Sequence, residues 1–183
     1  DDSVLIQAAR TLDKDGLTTI FETYAPAIYR YALRLCQDPI DSDNVVGDVF
    51  SKLLEQCAAG KGPVANLRSY LFQIAYHLIV DRARNHQRMV DLEIVTEAFI
   101  PGASSMQLQA EERSLMDALL TALNIVLSED QRHVIILRFL EDFSLKETAQ
   151  IIGKEVNNIK VIQNRGIAKL RKALDRQIDE DET

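Results

Sequence analysis

Apolar residues in this chain recur at steps of three and four almost from end to end, and that spacing admits helices and little else. Side chains three and four apart share one helix face, and an apolar face must be buried. Alternating runs of Val, Ile and Thr bounded by turn pairs, the mark of strands, are missing. Between Leu17 and Leu35 the stripe is Ile20, Phe21, Tyr24, Ile28, Tyr31 and Leu35, with Pro26 expected to break the helix locally. Asp38-Pro39 ends that segment. From Asp41 to Cys57 the stripe is Val45, Val46, Val49, Phe50, Leu53, Leu54 and Cys57, with Asp41 and Asp43 at the positive end of the helix dipole. Gly60, Gly62 and Pro63 oppose helix, so a loop follows, and Asn66 suits the N-cap of the next helix. The core face of that helix is read as Leu67, Leu71, Ile74, Ala75, Leu78 and Ile79, leaving Arg68, His77, Asp81, Arg82 and Arg84 elsewhere. Tyr70, Phe72 and Tyr76 fit core packing better than stacking on bases.

The periodicity fades between Gln87 and Gln109, where Pro101-Gly-Ala-Ser-Ser105 has a linker composition. The expectation is an all-α chain of two small helical domains, 1–90 and 111–183, joined by a flexible linker at 91–110 and moving independently about it. Beyond the linker, Leu115, Leu119, Leu120, Leu123, Val126 and Leu127 resume a stripe. Ser128-Glu-Asp-Gln131 has capping-box spacing, and Val134, Ile135, Leu137, Phe139 and Leu140 supply the core face of the helix it opens. A second capping box, Ser144-Leu-Lys-Glu147, opens a short helix that ends near Gly153, and another helix starts at Asn157 or Asn158. Ala149 is small enough for a close helix crossing, Gly153 can take the left-handed turn, and Val156, Ile159 and Ile162 can anchor the second helix. Together these predict a helix-turn-helix.

Composition narrows the function classes. No apolar run approaches the roughly 18 to 20 residues of a membrane span, and Asp1-Asp2 is the wrong flank for a secretory signal, so a cytoplasmic protein is expected. Cys36 and Cys57 are too few for a disulfide framework, and His77, His86 and His133 show no metal-ligand spacing. No nucleophile pairs with a base, so neither an enzyme nor a metal or other cofactor is expected. The net charge of −7 argues at first against nucleic acid. Its distribution reverses that. Residues 66–90 set Arg68, Arg82, Arg84 and Arg88 against Asp81 alone, and residues 157–176 hold Lys160, Arg165, Lys169, Arg171, Lys172 and Arg176 against Asp175, before the acidic run Asp179 to Glu182. Two cationic stripes in an acidic background suit a protein that meets polyanions at two places. On the second helix of the predicted reader, Asn157, Asn158, Lys160, Gln163, Asn164, Arg165 and Lys169 can reach base edges and phosphates.

Leu127-Ser-Glu-Asp-Gln131, Ser144-Leu-Lys-Glu-Thr-Ala-Gln-Ile-Ile-Gly153 and Ala168-Lys-Leu-Arg171 resemble region 4 of bacterial sigma factors. Independently, Tyr24-Ala-Pro-Ala-Ile-Tyr-Arg-Tyr31, Asp41-Ser-Asp-Asn-Val-Val-Gly-Asp-Val-Phe50, Tyr70-Leu-Phe-Gln-Ile-Ala75 and Asp81-Arg-Ala-Arg84 resemble region 2 of the extracytoplasmic-function (ECF) group. The resemblance implies a promoter-recognition subunit that directs RNA polymerase core and assists promoter opening. It implies that Asp41 to Leu54 docks on the β′ clamp helices, through Asp41, Asp43, Asn44, Asp48 and Lys52. It implies that the loop from Ala58 to Asn66 captures a flipped minus-ten base, and that the following helix tracks the unwound strand, through Lys61, Asn66, Arg68, His77, Arg82, Arg84 and Arg88. Region 4 would bind the β flap and read the minus-thirty-five element through the seven α-helical residues Asn157 to Lys169 named above. A flexible loop beside a basic groove is the physical requirement for base capture. An anti-sigma factor is the further partner implied.

Several positions depart from the family pattern. Gly47 stands where glutamine is usual, Gln73 where a basic residue is common, His77 where asparagine is frequent, and Val161 and Ile162 where serine and arginine are usual. With the net acidity, these keep a second reading open: a sigma-like decoy that binds an anti-sigma factor without initiating transcription. A simple helix-turn-helix repressor would not need the N-terminal block.

Overall fold

The computed structural model describes residues 2–90 and 123–181, and all the regular structure among them is helical. The linker assigned to 91–110 and the stripe Leu115 to Leu120 lie outside the described residues. Four helices make the N-terminal half: α1 (Asp2–Thr11), α2 (Lys14–Cys36), α3 (Pro39–Ala58) and α4 (Leu67–Val90). The C-terminal half contains a helical turn at 123–126, then α5 (Glu129–Ile135), a wide π-helical turn (Ile136–Leu140), α6 (Leu145–Ile152) and α7 (Val156–Asp181).

The helix ends follow the capping chemistry of the sequence. Asp13 accepts from the Gly16 amide at 2.8 Å to start α2, and Asp38 accepts from the Asp41 amide at 2.8 Å to start α3 ahead of Pro39. Asn66 caps α4 by accepting from the Ser69 amide at 2.9 Å. The Ser128 amide donates to the Gln131 side chain at 3.1 Å, and at α6 both arms of the box form, Ser144 to Glu147 at 2.8 Å and back at 3.2 Å. Gly153 closes α6 with φ 73° and ψ 34°, the left-handed geometry that only glycine takes without cost.

Three expectations are corrected. Pro26 does not break its helix: α2 runs unbroken from Lys14 to Cys36 with Pro26 inside it. The burial of Ile20, Ala25, Ile28 and Tyr31 on either side of the proline outweighs one missing backbone hydrogen bond. Phe139, expected on the core face, is 50% exposed, while Ile136 is buried. The wide turn, with the Glu141 amide bonded to the Ile136 carbonyl at 3.0 Å, inserts a residue into the register and rotates Phe139 outward. The third concerns α4, where Ile74 and Leu78 are half-buried and Val80 is buried in addition, while Phe72 and Tyr76 are in the core as expected.

The two halves do not stand apart. Ile20, Tyr31, Leu71 and Phe72 from the first share one buried cluster with Val134, Leu137, Phe143, Ile151 and Ile159 from the second. α6 lies against α4, and Phe143 meets Phe72 edge-on at 4.8 Å between centroids. A smaller cluster of Leu123, Leu127 and Ile135 packs on α7, where Gly166 comes so close that an added Cβ would stand 3.3 Å from Ile135 Cγ1. Nothing in a stripe of apolar residues says which other stripe covers it, so this contact is not legible in the periodicity.

Candidate nucleic-acid interface

The helix-turn-helix consists of α6, the Gly153 turn and α7. Thr148, Ala149, Ile151 and Ile152 bury one face of α6, and Ile159 on α7 is fully buried against it, with Val156 and Ile162 half-buried beside it. That anchoring turns the opposite side of α7 to solvent. Asn157, Asn158, Lys160, Asn164, Arg165 and Lys169 are all exposed. Gln163 is half-buried, and its side-chain oxygen accepts from Arg138 Nε at 3.0 Å, so it is tied to the π-helical turn. Arg138 also donates to the Phe143 carbonyl, which holds the approach to α6 in place. Val161, one of the departures from the family pattern, is 46% exposed among these polar groups. Lys154 pairs with Asp130 at 2.5 Å, bracing the turn against α5.

On α4 the cationic residues divide between two sides. At about 100° per residue, Tyr70, Gln73, His77 and Arg84 fall within roughly 60° of one another, whereas Arg68 and Arg82 lie on the far side, toward the core. The observed contacts follow that geometry. His77 and Arg84 are exposed. Arg82 donates to the Asp41 carbonyl at 2.8 Å and to the Asp48 carboxylate at 2.6 Å, stitching α4 to α3. Arg68 donates to the Glu141 carbonyl at 2.5 Å and stacks over the Phe143 ring at 4.1 Å. The placement of Arg68 and Arg82 away from the core face is therefore corrected, and the helical angle alone carried the signal. The side chain of Arg88 lies outside the described residues. Lys61 is exposed in the loop before α4, and Asn66, exposed too, donates from Nδ2 to Glu147 at 2.9 Å while its oxygen caps the helix.

A groove of about 420 Å³ opens between this loop and α4, lined by Val64, Asn66, Ser69, Tyr70 and Gln73, with Gln150 of α6 at its edge. A second, about 220 Å³, lies among Lys52, Gln56, Tyr70, Gln73, Ile74 and His77. Tyr70 borders both. On α3, Asp41, Asp43, Asn44, Asp48 and Lys52 are all exposed, and the structure brings Asp48 to Arg82 and Lys52 beside His77. Gly47 is exposed with no atom within 4 Å of an added Cβ, so nothing in the fold demands a glycine there.

Electrostatics concentrate at the junction of the halves, where Asn66 and Arg68 meet Glu147 and Glu141. His133 is buried, and desolvation, aided by the charge of Arg132, lowers its pKa to about 3, so the ring is neutral at ordinary pH. Burial pushes the Glu141 carboxyl up, and Arg34, Arg30 and Arg68 pull it part of the way back. Arg34 pairs with it at 2.5 Å. Glu147 is held below the usual carboxylate range by its bonds to Ser144 and, less strongly, to Asn66. Among the described residues, no group of three or more His, Cys, Asp or Glu side chains could hold a metal, and no helix is long and apolar enough to cross a membrane.

Family models for sigma-70 region 2 and sigma-70 region 4 match residues 20–89 and 126–172, the α2 to α4 block and the reader with its leading helix. The chain belongs to the sigma-70 family. Among relatives, the RNA polymerase sigma-E factor of Streptomyces avermitilis is 30% identical over 165 residues, covering 85% of this chain and 85% of that protein. The ECF RNA polymerase sigma factor SigX of Bacillus subtilis is 24% identical over 160 residues, covering 85% and 82%. Among solved structures, the sigma factor RpoE in complex with the anti-sigma factor NepR from Bartonella quintana superposes with a TM-score of 0.66 at 26% identity, covering 86% of this chain and 96% of that one. This protein is an ECF-type sigma factor acting in transcription initiation, and its regions 2 and 4 bind RNA polymerase core and promoter DNA. Both regions match, so the decoy reading is not favoured.

Proposed function

We propose that the work of initiation divides among surfaces of this chain as follows. Residues 1–90 form the minus-ten and core-binding unit, 91–110 the linker, and 111–183 the minus-thirty-five unit. The exposed row Asp41, Asp43, Asn44, Asp48 and Lys52 on α3 docks on the β′ clamp helices. Lys61 and Asn66 in the loop, with His77, Arg84 and Arg88 along α4, receive the unwound minus-ten strand, and Arg68 and Arg82 join them on the core side. The groove beside Asn66 and Tyr70 is the place for a base drawn out of the stack. On α7, Asn157, Asn158 and Asn164 read base edges, Lys160, Arg165 and Lys169 neutralise phosphates, and Gln163 supports them from the Arg138 side. The region 4 surface also meets the β flap.

The observation that carries this reading is the disposition of α7: Ile159 is wholly buried while six polar and basic neighbours from Asn157 to Lys169 face solvent. A helix anchored by its apolar side on a tight turn presents its other side to a major groove. The protein makes and breaks no covalent bond in this role, since promoter opening draws on binding energy. It acts in the cytoplasm with the polymerase, and an anti-sigma factor is its proposed regulator, as the RpoE neighbour is held by one.

The test is transcript mapping with core polymerase supplemented by this chain. Selected start sites are expected, lost with Asn157→Ala/Lys160→Ala. A chain that never binds core polymerase would sink the proposal.

A further inference from the structure

We propose that Val161 is a specificity-determining residue of the reader: it packs against the 5-methyl group of a thymine in the minus-thirty-five duplex, so that this chain prefers an A·T pair at the position facing it. This deepens the assignment of α7 to promoter reading made above and rests on it.

The fold places Val161 where a base edge would arrive. Ile159 is wholly buried against α6, and at about 100° per residue Val161 points about 160° away from it, nearly opposite the anchor. Asn157 and Asn164, one turn before and one turn after, fall within about 60° of the same direction, and all three are exposed. Lys160 and Arg165 flank this strip, at about 100° and 120° from Ile159 in opposite senses. Cations on both sides with uncharged groups between them suit a helix seated in a major groove, where phosphates line the walls and base edges form the floor. Val161 also lies in the second turn of α7, near the end by which a recognition helix reaches bases.

The fold itself gives no reason for a valine there. Val161 is 46% exposed and belongs to neither buried cluster. A β-branched side chain on an exposed helical position loses rotamer freedom and favours helix less than alanine does. What it offers is an apolar surface at the centre of a polar strip. The apolar group that the major groove displays is the thymine methyl, and the adenine paired with it presents the donor and acceptor that asparagine takes bidentately. Val161 between Asn157 and Asn164 therefore matches the two strands of A·T pairs at once. A cytosine at the same place would turn its amino group toward a side chain that cannot accept a hydrogen bond.

The test uses holoenzyme on a promoter to which transcripts of this chain have been mapped. Each thymine of the minus-thirty-five element, on either strand, is replaced in turn by deoxyuridine, which removes the methyl and nothing else. Wild-type affinity is expected to fall about fourfold at one thymine or two adjacent ones, the ratio for one buried methyl-sized group. Val161→Ala shortens the side chain and keeps the helix. It is expected to bind the thymine duplex as weakly as wild type binds the deoxyuridine duplex, and to be indifferent to that replacement, because the two deletions remove one contact. An element without a methyl-sensitive position overturns the proposal, and so does a sensitivity that persists undiminished in Val161→Ala. Loss of core polymerase binding by Val161→Ala in the absence of DNA also overturns it, since the side chain then faces the polymerase. Holoenzyme that protects no minus-thirty-five element removes the assignment of α7 itself, whereas a protected element with no methyl effect removes only the role of Val161.

Discussion

Tyr31 on α2 and His133 on α5, 102 positions apart in the chain, share a hydrogen bond of 2.7 Å between the phenol oxygen and Nδ1, in the buried seam between the halves. The Tyr76 ring stands edge-on to the imidazole at 4.8 Å and Phe72 lies 5.3 Å from Tyr31, so both partners are buried among aromatic rings. Tyr31→Phe keeps the shape and strands the Nδ1 atom. It is expected to lower stability by about 1–3 kcal/mol, the cost of a buried polar group left unpaired. Urea unfolding followed by circular dichroism measures it, and a loss within error of zero would mean the junction is wetter than its burial indicates.

The same histidine imposes a pH dependence. Its folded pKa of about 3 lies below the ordinary value of 6.5, so the unfolded chain takes up a proton that the folded one refuses. The stability associated with neutral His133 is complete above pH 6.5 and is lost as pH falls toward 3, with a slope approaching about 1.4 kcal/mol per pH unit. Glu141, raised by burial, contributes with the opposite sign in the acid range, so the measurement is a difference. His133→Gln should flatten the curve between pH 6.5 and 4.5 relative to wild type, as read from denaturation midpoints across that range.

Gly153→Ala tests the turn of the reader. Nothing lies within 4 Å of the added methyl, so the cost is purely that of φ +73° in a residue with a Cβ, roughly 1–2 kcal/mol. Gly153→Asn should recover much of it, because asparagine tolerates that region. Thermal melts of the three proteins give the order Gly, Asn, Ala.

Lys160→Ala should weaken duplex binding by holoenzyme across all promoter sequences and reduce the slope of log affinity against log salt by about one. Asn157→Ala should instead change which sequences are preferred, with a nearly unchanged slope. Filter binding at several salt concentrations separates them, and an unchanged slope for Lys160→Ala would remove that residue from the phosphate contacts.

Arg82 and Arg84 are two residues apart and differ in surroundings. Arg82→Ala should cost stability, up to about 1 kcal/mol, since Asp48 is 52% exposed and water screens the pair. Arg84→Ala should leave the denaturation midpoint in place and weaken single-strand binding. Paired denaturation and anisotropy curves decide between them.

Much of this molecule was written in local rules. The two capping boxes at Ser128 and Ser144, the N-cap at Asn66, the left-handed Gly153 and the burial of Ile159 each follow from neighbours within one or two helical turns, which is why the reader and the α2 to α4 block were legible from residues alone. Pro26 and Phe139 misled for opposite reasons. Long-range burial kept a helix intact through its proline, and a single inserted residue in the π-helical turn rotated an apolar side chain into water. What only the tertiary structure decided is the partner of each charged or polar group: Arg34 with Glu141, Arg68 with Phe143, Asn66 with Glu147, and Tyr31 with His133. Periodicity names the face a residue occupies, whereas pairing depends on which face of a distant helix is brought against it, and no spacing within one helix encodes that.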